Sequence, residues 1–125
     1  MKLPTDLYYT PDHMWARPID NARWQAGITD YAQDMLGDVV FLEPPSPDTV
    51  LKGNQPCGLV ESVKTGSDLH APMDGKVTLV NTDLLSAPEG INDKPYAAWI
   101  FEFTPENPQD LTGLLSADDY QKLIG

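Results

Sequence analysis

The chain has 125 residues, 41% hydrophobic and 22% charged, enough for one domain spanning 1–125 that buries roughly two thirds of its unfolded surface. Its 8 basic and 19 acidic side chains leave a net charge of -11, the wrong sign for binding nucleic acid or an anionic membrane surface. One cysteine, Cys57, excludes an internal disulfide framework and a thiolate zinc cluster.

Met1-Lys2-Leu3-Pro4 begins neither an apolar nor an amphipathic leader, so a cytoplasmic protein is expected. Residues 7–10 and 23–28 read as strands, with His13-Met14-Trp15-Ala16-Arg17 between them. A helix is predicted over 30–36. Thr29 caps its start, Gly37 takes the left-handed stop, and Tyr31, Ala32 and Met35 share the core-facing side. Residues 38–43 form a nearly continuous apolar strand ended by Pro44-Pro45-Ser46-Pro47. After Thr49-Val50-Leu51 and a turn at Lys52-Gly53, strand 58–61 runs into the polar stretch 62–68, and apolar residues resume at Leu69. That pattern predicts a hairpin with Lys64 near its apex. Pro72-Met73-Asp74-Gly75 turns into strand 76–80, and residues 86–96 read as a loop. Trp99, Phe101 and Phe103 alternate with Ile100 and Glu102 as a strand with an inward aromatic face, so Phe41, Trp99, Phe101 and Phe103 are expected in the core with Trp15. Leu111, Leu114 and Leu115 suggest one short helix, and a second starts at Ser116 and carries Tyr120, Leu123 and Ile124. Many short strands with frequent turns indicate a small sandwich or barrel decorated by helices.

The usual catalytic constellations are missing: there is no Gly-x-Ser-x-Gly elbow, no phosphate-cradling glycine loop and no His-Glu-x-x-His. His13 and His70 lie far apart with no third ligand in view, and structural roles are expected for both. Cys57, between Pro56 and Gly58, reads as a small buried thiol, and Asp118-Asp119 as a solvated helix start. An enzyme is not indicated. The acidic balance suits either simple solubility or docking on basic patches of larger partners.

Glu61-Ser62-Val63-Lys64-Thr65-Gly66-Ser67-Asp68 resembles the lipoylation hairpin of the glycine cleavage system H protein family. Tyr9-Thr10-Pro11-Asp12-His13, the stretch from Gly27 to Phe41, Ala71-Pro72-Met73-Asp74-Gly75-Lys76-Val77 and Ile91-Asn92-Asp93-Lys94-Pro95-Tyr96 resemble the same family in the same order. The resemblance implies a mainly β barrel-sandwich hybrid of two sheets with short flanking helices, and a monomeric carrier rather than a catalyst. Lipoic acid would be joined to Lys64, with Glu61 and Asp68 helping recognition by a lipoate ligase or lipoyltransferase. Ser62, Val63, Gly66 and Ser67 complete the hairpin, and Gly66 is expected at a positive φ. The arm would visit glycine decarboxylase, an aminomethyltransferase and a dihydrolipoyl dehydrogenase, and fold between visits into a cleft near Asp12, His13 and Met14.

Here the sequence departs from the family. The family reads His-Glu-Trp where this chain has His13-Met14-Trp15, and methionine offers no carboxylate to an ammonium. A second same-fold reading is therefore open: the H-like lipoate-binding proteins of bacterial sulfur oxidation, which work with a heterodisulfide-reductase-like complex. A third is an unmodified H-like module that only binds a partner.

Overall fold

The computed structural model describes residues 3–20 and 22–125. Met1 and Lys2, on which the leader expectation partly rests, lie outside the described residues. Among the described residues, nine strands and four short helices follow one another as β1 (Tyr8–Tyr9), β2 (Met14–Pro18), β3 (Trp24–Ile28), α1 (Asp30–Leu36), β4 (Val39–Glu43), β5 (Val50–Leu51), β6 (Pro56–Ser62), β7 (Gly66–His70), β8 (Gly75–Val80), α2 (Thr82–Ser86), α3 (Gly90–Asp93), β9 (Phe101–Pro105) and α4 (Ala117–Ile124). They pair antiparallel into a six-stranded sheet of order β1-β2-β3-β9-β8-β5 and a three-stranded sheet of order β4-β6-β7. This is the mainly β architecture that the strand and turn count predicts, in the two sheets that the resemblance implies. Among the described residues no helix is long and apolar enough to cross a membrane.

Alternation decides what goes inside. Met14, Ala16, Ala26 and Ile28 from β2 and β3, Val39 and Leu42 from β4, Val60, Leu69, Val77, Phe101 and Phe103 all join one core cluster. The intervening Trp15 faces the other way, where Leu7, Tyr9, Ala117 and Tyr120 make a second cluster. Tyr9 and Tyr120 stack at 4.9 Å. Trp15 Nε1 donates to Pro95 O at 3.0 Å, and the indole lies so close to β3 that a Cβ at Gly27 would stand 2.7 Å from it. The helix signals hold. Thr29 Oγ1 accepts from Ala32 N at 3.2 Å, Gly37 takes φ 85, and Ser116 Oγ accepts from Asp119 N at 3.1 Å.

Several expectations need correction. Residues 90–93 are helical where a loop is expected, and residues 82–86, between the expected strand and loop, form a further helix. Asn81 caps the latter, its side chain accepting from Leu84 N. Residues 111–115 form no helix, because Leu115 exchanges backbone bonds with Tyr9 at 2.7 and 2.8 Å. The aromatic strand begins only at Phe101; Ile100 and Glu102 are buried along with Phe101 and Phe103, and the partly buried Trp99 packs on the second cluster. Leu36 rather than Met35 turns inward from α1, and Leu123 is exposed on α4. Phe41 is 46% exposed instead of buried. The cause is a β-bulge: Val39 pairs with Ser62 and Phe41 with Glu61, leaving Val40 as an extra residue. The bulge offsets the alternation, so Val39 and Leu42 face in while Val40 and Phe41 both face out.

Replacing the fully buried Phe101 by Ala should cost about 3–5 kcal/mol. Phe41→Ala should cost less than about 1 kcal/mol, since half the ring is already in water. Urea unfolding of both variants checks this; equal losses would overturn the inside-outside assignment.

Candidate functional site

The β6–β7 hairpin closes on Glu61 opposite Gly66, with Ser62, Val63, Lys64 and Thr65 as its tip. Ser62 organises that tip. Its N–H donates to Thr65 O at 2.7 Å, its hydroxyl donates to the same carbonyl at 3.1 Å, and its Oγ accepts from Lys64 N at 3.3 Å and Thr65 N at 3.1 Å. A serine side chain thus satisfies the backbone that a tight turn leaves open. Val63 N donates to Asp38 O at 3.0 Å, tying the tip to the corner between α1 and β4. The backbone at Lys64 is held on both sides while the side chain is exposed. Its aliphatic stem crosses Gly37, where a Cβ would stand 3.4 Å from Lys64 Cε. Among the described residues no carboxylate pairs with its ammonium. Gly66 does not adopt the positive φ expected of it, because it is already a paired β7 residue; the left-handed positions are Gly37, Gly125, His13, Asp48 and Asn54.

The corner beneath the hairpin is locked by a residue that sequence reasoning did not single out. At the bulge Val39 is fully buried, and its backbone bonds to a side chain. Asn92, from α3, accepts from Val39 N at 2.8 Å and donates to Val39 O at 3.3 Å. One amide serves both backbone groups, its oxygen accepting and its NH2 donating. Gln33 Nε2 reaches both Asn92 Oδ1 and Gly37 O, so α1, α3 and β4 meet in a single polar knot. Asn92 falls in one of the family-like blocks, but its partner lies 53 residues away and no local pattern reveals it.

Beside the tip lies a cleft of about 250 Å³. Thr65, Gly66, Ser67 and Asp68 of the hairpin form one wall, and Asp12, His13, Met14, Ile28, Ala32, Met35, Leu36 and Val60 the rest. The three residues expected near an arm cleft are therefore brought to the hairpin, although they precede Lys64 by some fifty positions in sequence. Larger hollows exist, such as one of about 460 Å³ around Asp74, Glu106 and Asp110, but that one shares no residue with the hairpin. Glu61 and Asp68 are exposed on the two arms, opposite Gly66 and Leu59 respectively.

His13 sits at the cleft with φ 67. Its Nδ1 lies 2.8 Å from Tyr120 Oη, which lies 2.8 Å from Thr29 Oγ1. Burial pushes the Tyr120 phenol up to about 12, so it keeps its proton. Thr29 donating to Tyr120, and Tyr120 to a neutral imidazole, satisfies all three groups. Burial also lowers the pKa of His13 from 6.5, opposed by the Asp12 carboxylate. Tyr120, on the last helix, is a second residue sequence reasoning assigned only to packing. Burial raises the Cys57 thiol to about 12, leaving almost no thiolate at neutral pH. His70 is half-buried opposite Pro56, and among the described residues no group of three His, Cys, Asp or Glu side chains is placed to hold a metal.

Comparison with known proteins adds to this geometry. Residues 7–125 match the family model described as glycine cleavage H-protein. The chain is 60% identical over 125 residues to the glycine cleavage system H protein of Methylobacillus flagellatus, with all of both chains covered. It is 51% identical over 124 residues to that of Listeria welshimeri, covering 98% of each. The crystal structure of a glycine cleavage system H protein from Mycobacterium marinum superposes with a TM-score of 0.89 at 36% identity, covering 98% of this chain and 99% of that one. The chain belongs to the glycine cleavage H-protein family, and its fold is that family's barrel-sandwich hybrid.

Asn92→Leu should cost about 1–3 kcal/mol, because it strands a buried N–H and C=O at Val39. Chemical denaturation measures the loss, and a variant as stable as wild type would show that the knot is dispensable. For His13, the folded pKa lies below the unfolded 6.5, so the unfolded chain binds the proton better. Its contribution to stability is present above pH 6.5 and is lost as pH falls from there towards the folded value. An NMR titration of the His13 ring should give a midpoint below 6.5; one at or above it would contradict the buried neutral imidazole.

Proposed function

We propose that this member of the family is a carrier in glycine cleavage, that lipoate is joined by an amide to Lys64, and that the cleft beside the hairpin shelters the loaded end of the arm between partners. The observation that carries this is the pairing of an exposed lysine on a fixed turn with an adjoining cleft. A modifying enzyme needs a reachable amine, and a swinging arm needs a base that does not move with it. When attached, lipoate supplies a dithiolane whose sulfurs take up and release the aminomethyl cargo. Everything else falls to the chain. Ser62 and the Val63–Asp38 bond hold the base of the arm. Met14, Ile28, Ala32 and Val60 give the cleft an apolar side suited to an aliphatic chain.

Met14 remains a departure from the family pattern, since its thioether cannot face an ammonium as a carboxylate would. Asp12 and Asp68 also line the cleft, and they are the carboxylates available to that role. The relatives at 60% and 51% identity bear the glycine cleavage name, which favours this cargo over the sulfur-oxidation reading. In this reading residues 1–125 are one carrier domain in the cytoplasm, without catalytic activity of its own. It is loaded by a lipoate ligase or lipoyltransferase and visits glycine decarboxylase, the aminomethyltransferase and dihydrolipoyl dehydrogenase. Tethering makes delivery of the dithiol intramolecular once the carrier has docked on a partner.

Intact mass after incubation with a lipoate ligase, lipoate and ATP should show one lipoyl increment on wild type and none on Lys64→Arg. An increment that persists in Lys64→Arg would sink the assignment.

A further inference from the structure

The outward face around Lys64 is more apolar than a solvated hairpin requires. Nine large hydrophobic side chains are exposed among the described residues, and four lie on the segments that converge at Lys64: Met35 (52%), Val40 (50%), Phe41 (46%) and Val63 (73%). Val63 precedes the lysine and is bonded through its N–H to Asp38. Met35 closes α1 and lines the cleft with Thr65 and Gly66. Val40 and Phe41 are both outward only because of the bulge, which a regular strand would replace by one outward and one inward side chain. Phe41 stands opposite Glu61 of β6, on the outward side of the three-stranded sheet. The bulge is held by the Asn92 amide, so the exposure is built in rather than a loose end.

The charge on the segments that carry this patch is one-sided. Segments 30–43 and 58–70 carry Asp30, Asp34, Asp38, Glu43, Glu61 and Asp68, and Lys64 is their one Lys or Arg. A surface that binds these segments must offer an apolar socket for an aromatic anchor, and basic side chains around it. It must also reach the Lys64 amine before that amine is acylated.

We propose that Phe41, with Val40, Val63 and Met35, forms the docking surface for the enzyme that attaches lipoate, and that Phe41 is its anchor, set outward by the bulge. The inference rests on the lipoyl reading of Lys64. Phe41 touches no reacting atom; it positions the hairpin for the enzyme.

The test is the initial rate of lipoylation by a lipoate ligase with lipoate and ATP, as a function of carrier concentration. The carriers are wild type, Phe41→Ser, Phe41→Leu, and Leu79→Ser as a control of similar exposure on the other sheet (49%). Phe41→Ser should raise KM by about tenfold with kcat within about twofold, Phe41→Leu should recover most of the loss, and Leu79→Ser should match wild type. KM for wild type should rise with salt as the basic rim is screened. Equal KM for Phe41→Ser and wild type, with both taking up lipoate, would overturn the docking surface while leaving Lys64 intact. A flat salt response would overturn the basic rim. No uptake by wild type would remove the Lys64 reading and this inference with it.

Discussion

The pair of hydrogen bonds between Asn92 and the backbone of Val39 is the constraint on which the working end of the molecule depends. A bulge interrupts the ladder between β4 and β6 at a residue that is fully buried. Without a substitute partner, its N–H and C=O would cost more than the bulge could return in packing. Asn92 supplies both partners from α3, and Gln33 ties the same amide to Gly37 at the end of α1. Val63 then bonds to Asp38, one residue before the bulge. The hairpin tip, the first helix and the bulged strand are therefore parts of one hydrogen-bonded corner, and Lys64 is mounted on it.

A carrier has to combine a base that does not move with an end that does. The chain meets the first demand with backbone bonds, which lose little entropy once the sheet has formed, and leaves the second to a side chain with no ion pair among the described residues. Gly37 contributes to both. Its positive φ ends α1, and the Lys64 stem lies in van der Waals range of it as it crosses the corner. The cleft shares residues with the hairpin itself, so the distance an arm must span to reach it is set by the tip rather than by any hinge.

Local chemistry was legible in the sequence and long-range compensation was not. Thr29, Gly37 and Ser116 announce their helix ends because a cap bonds three or four residues away. Lys64 between two polar, Gly-bearing arms reads as a hairpin for the same reason. Phe41 was misplaced because alternation assumes an uninterrupted ladder, and the bulge that breaks it is stabilised from 53 residues away. Leu115 was read by its spacing as helical, but its backbone is claimed by Tyr9 in the first strand. The cleft was anticipated only through the family resemblance. Nothing between residues 12 and 68 in sequence states that they face each other across the two sheets.

The acidic field takes on meaning once the fold concentrates it. Spread over a surface, a charge of -11 does little beyond keeping chains apart. On the two segments that meet at the hairpin it becomes six carboxylates against one ammonium. Amide formation at Lys64 would abolish that ammonium, so the modified face is more negative than the unmodified one by a full charge, at its centre. An enzyme that docked there before modification would thus meet a different field from one that docked after it, felt over about a Debye length. Charge can then distinguish loaded from unloaded carrier without any change in backbone, because the corner that presents both is the same.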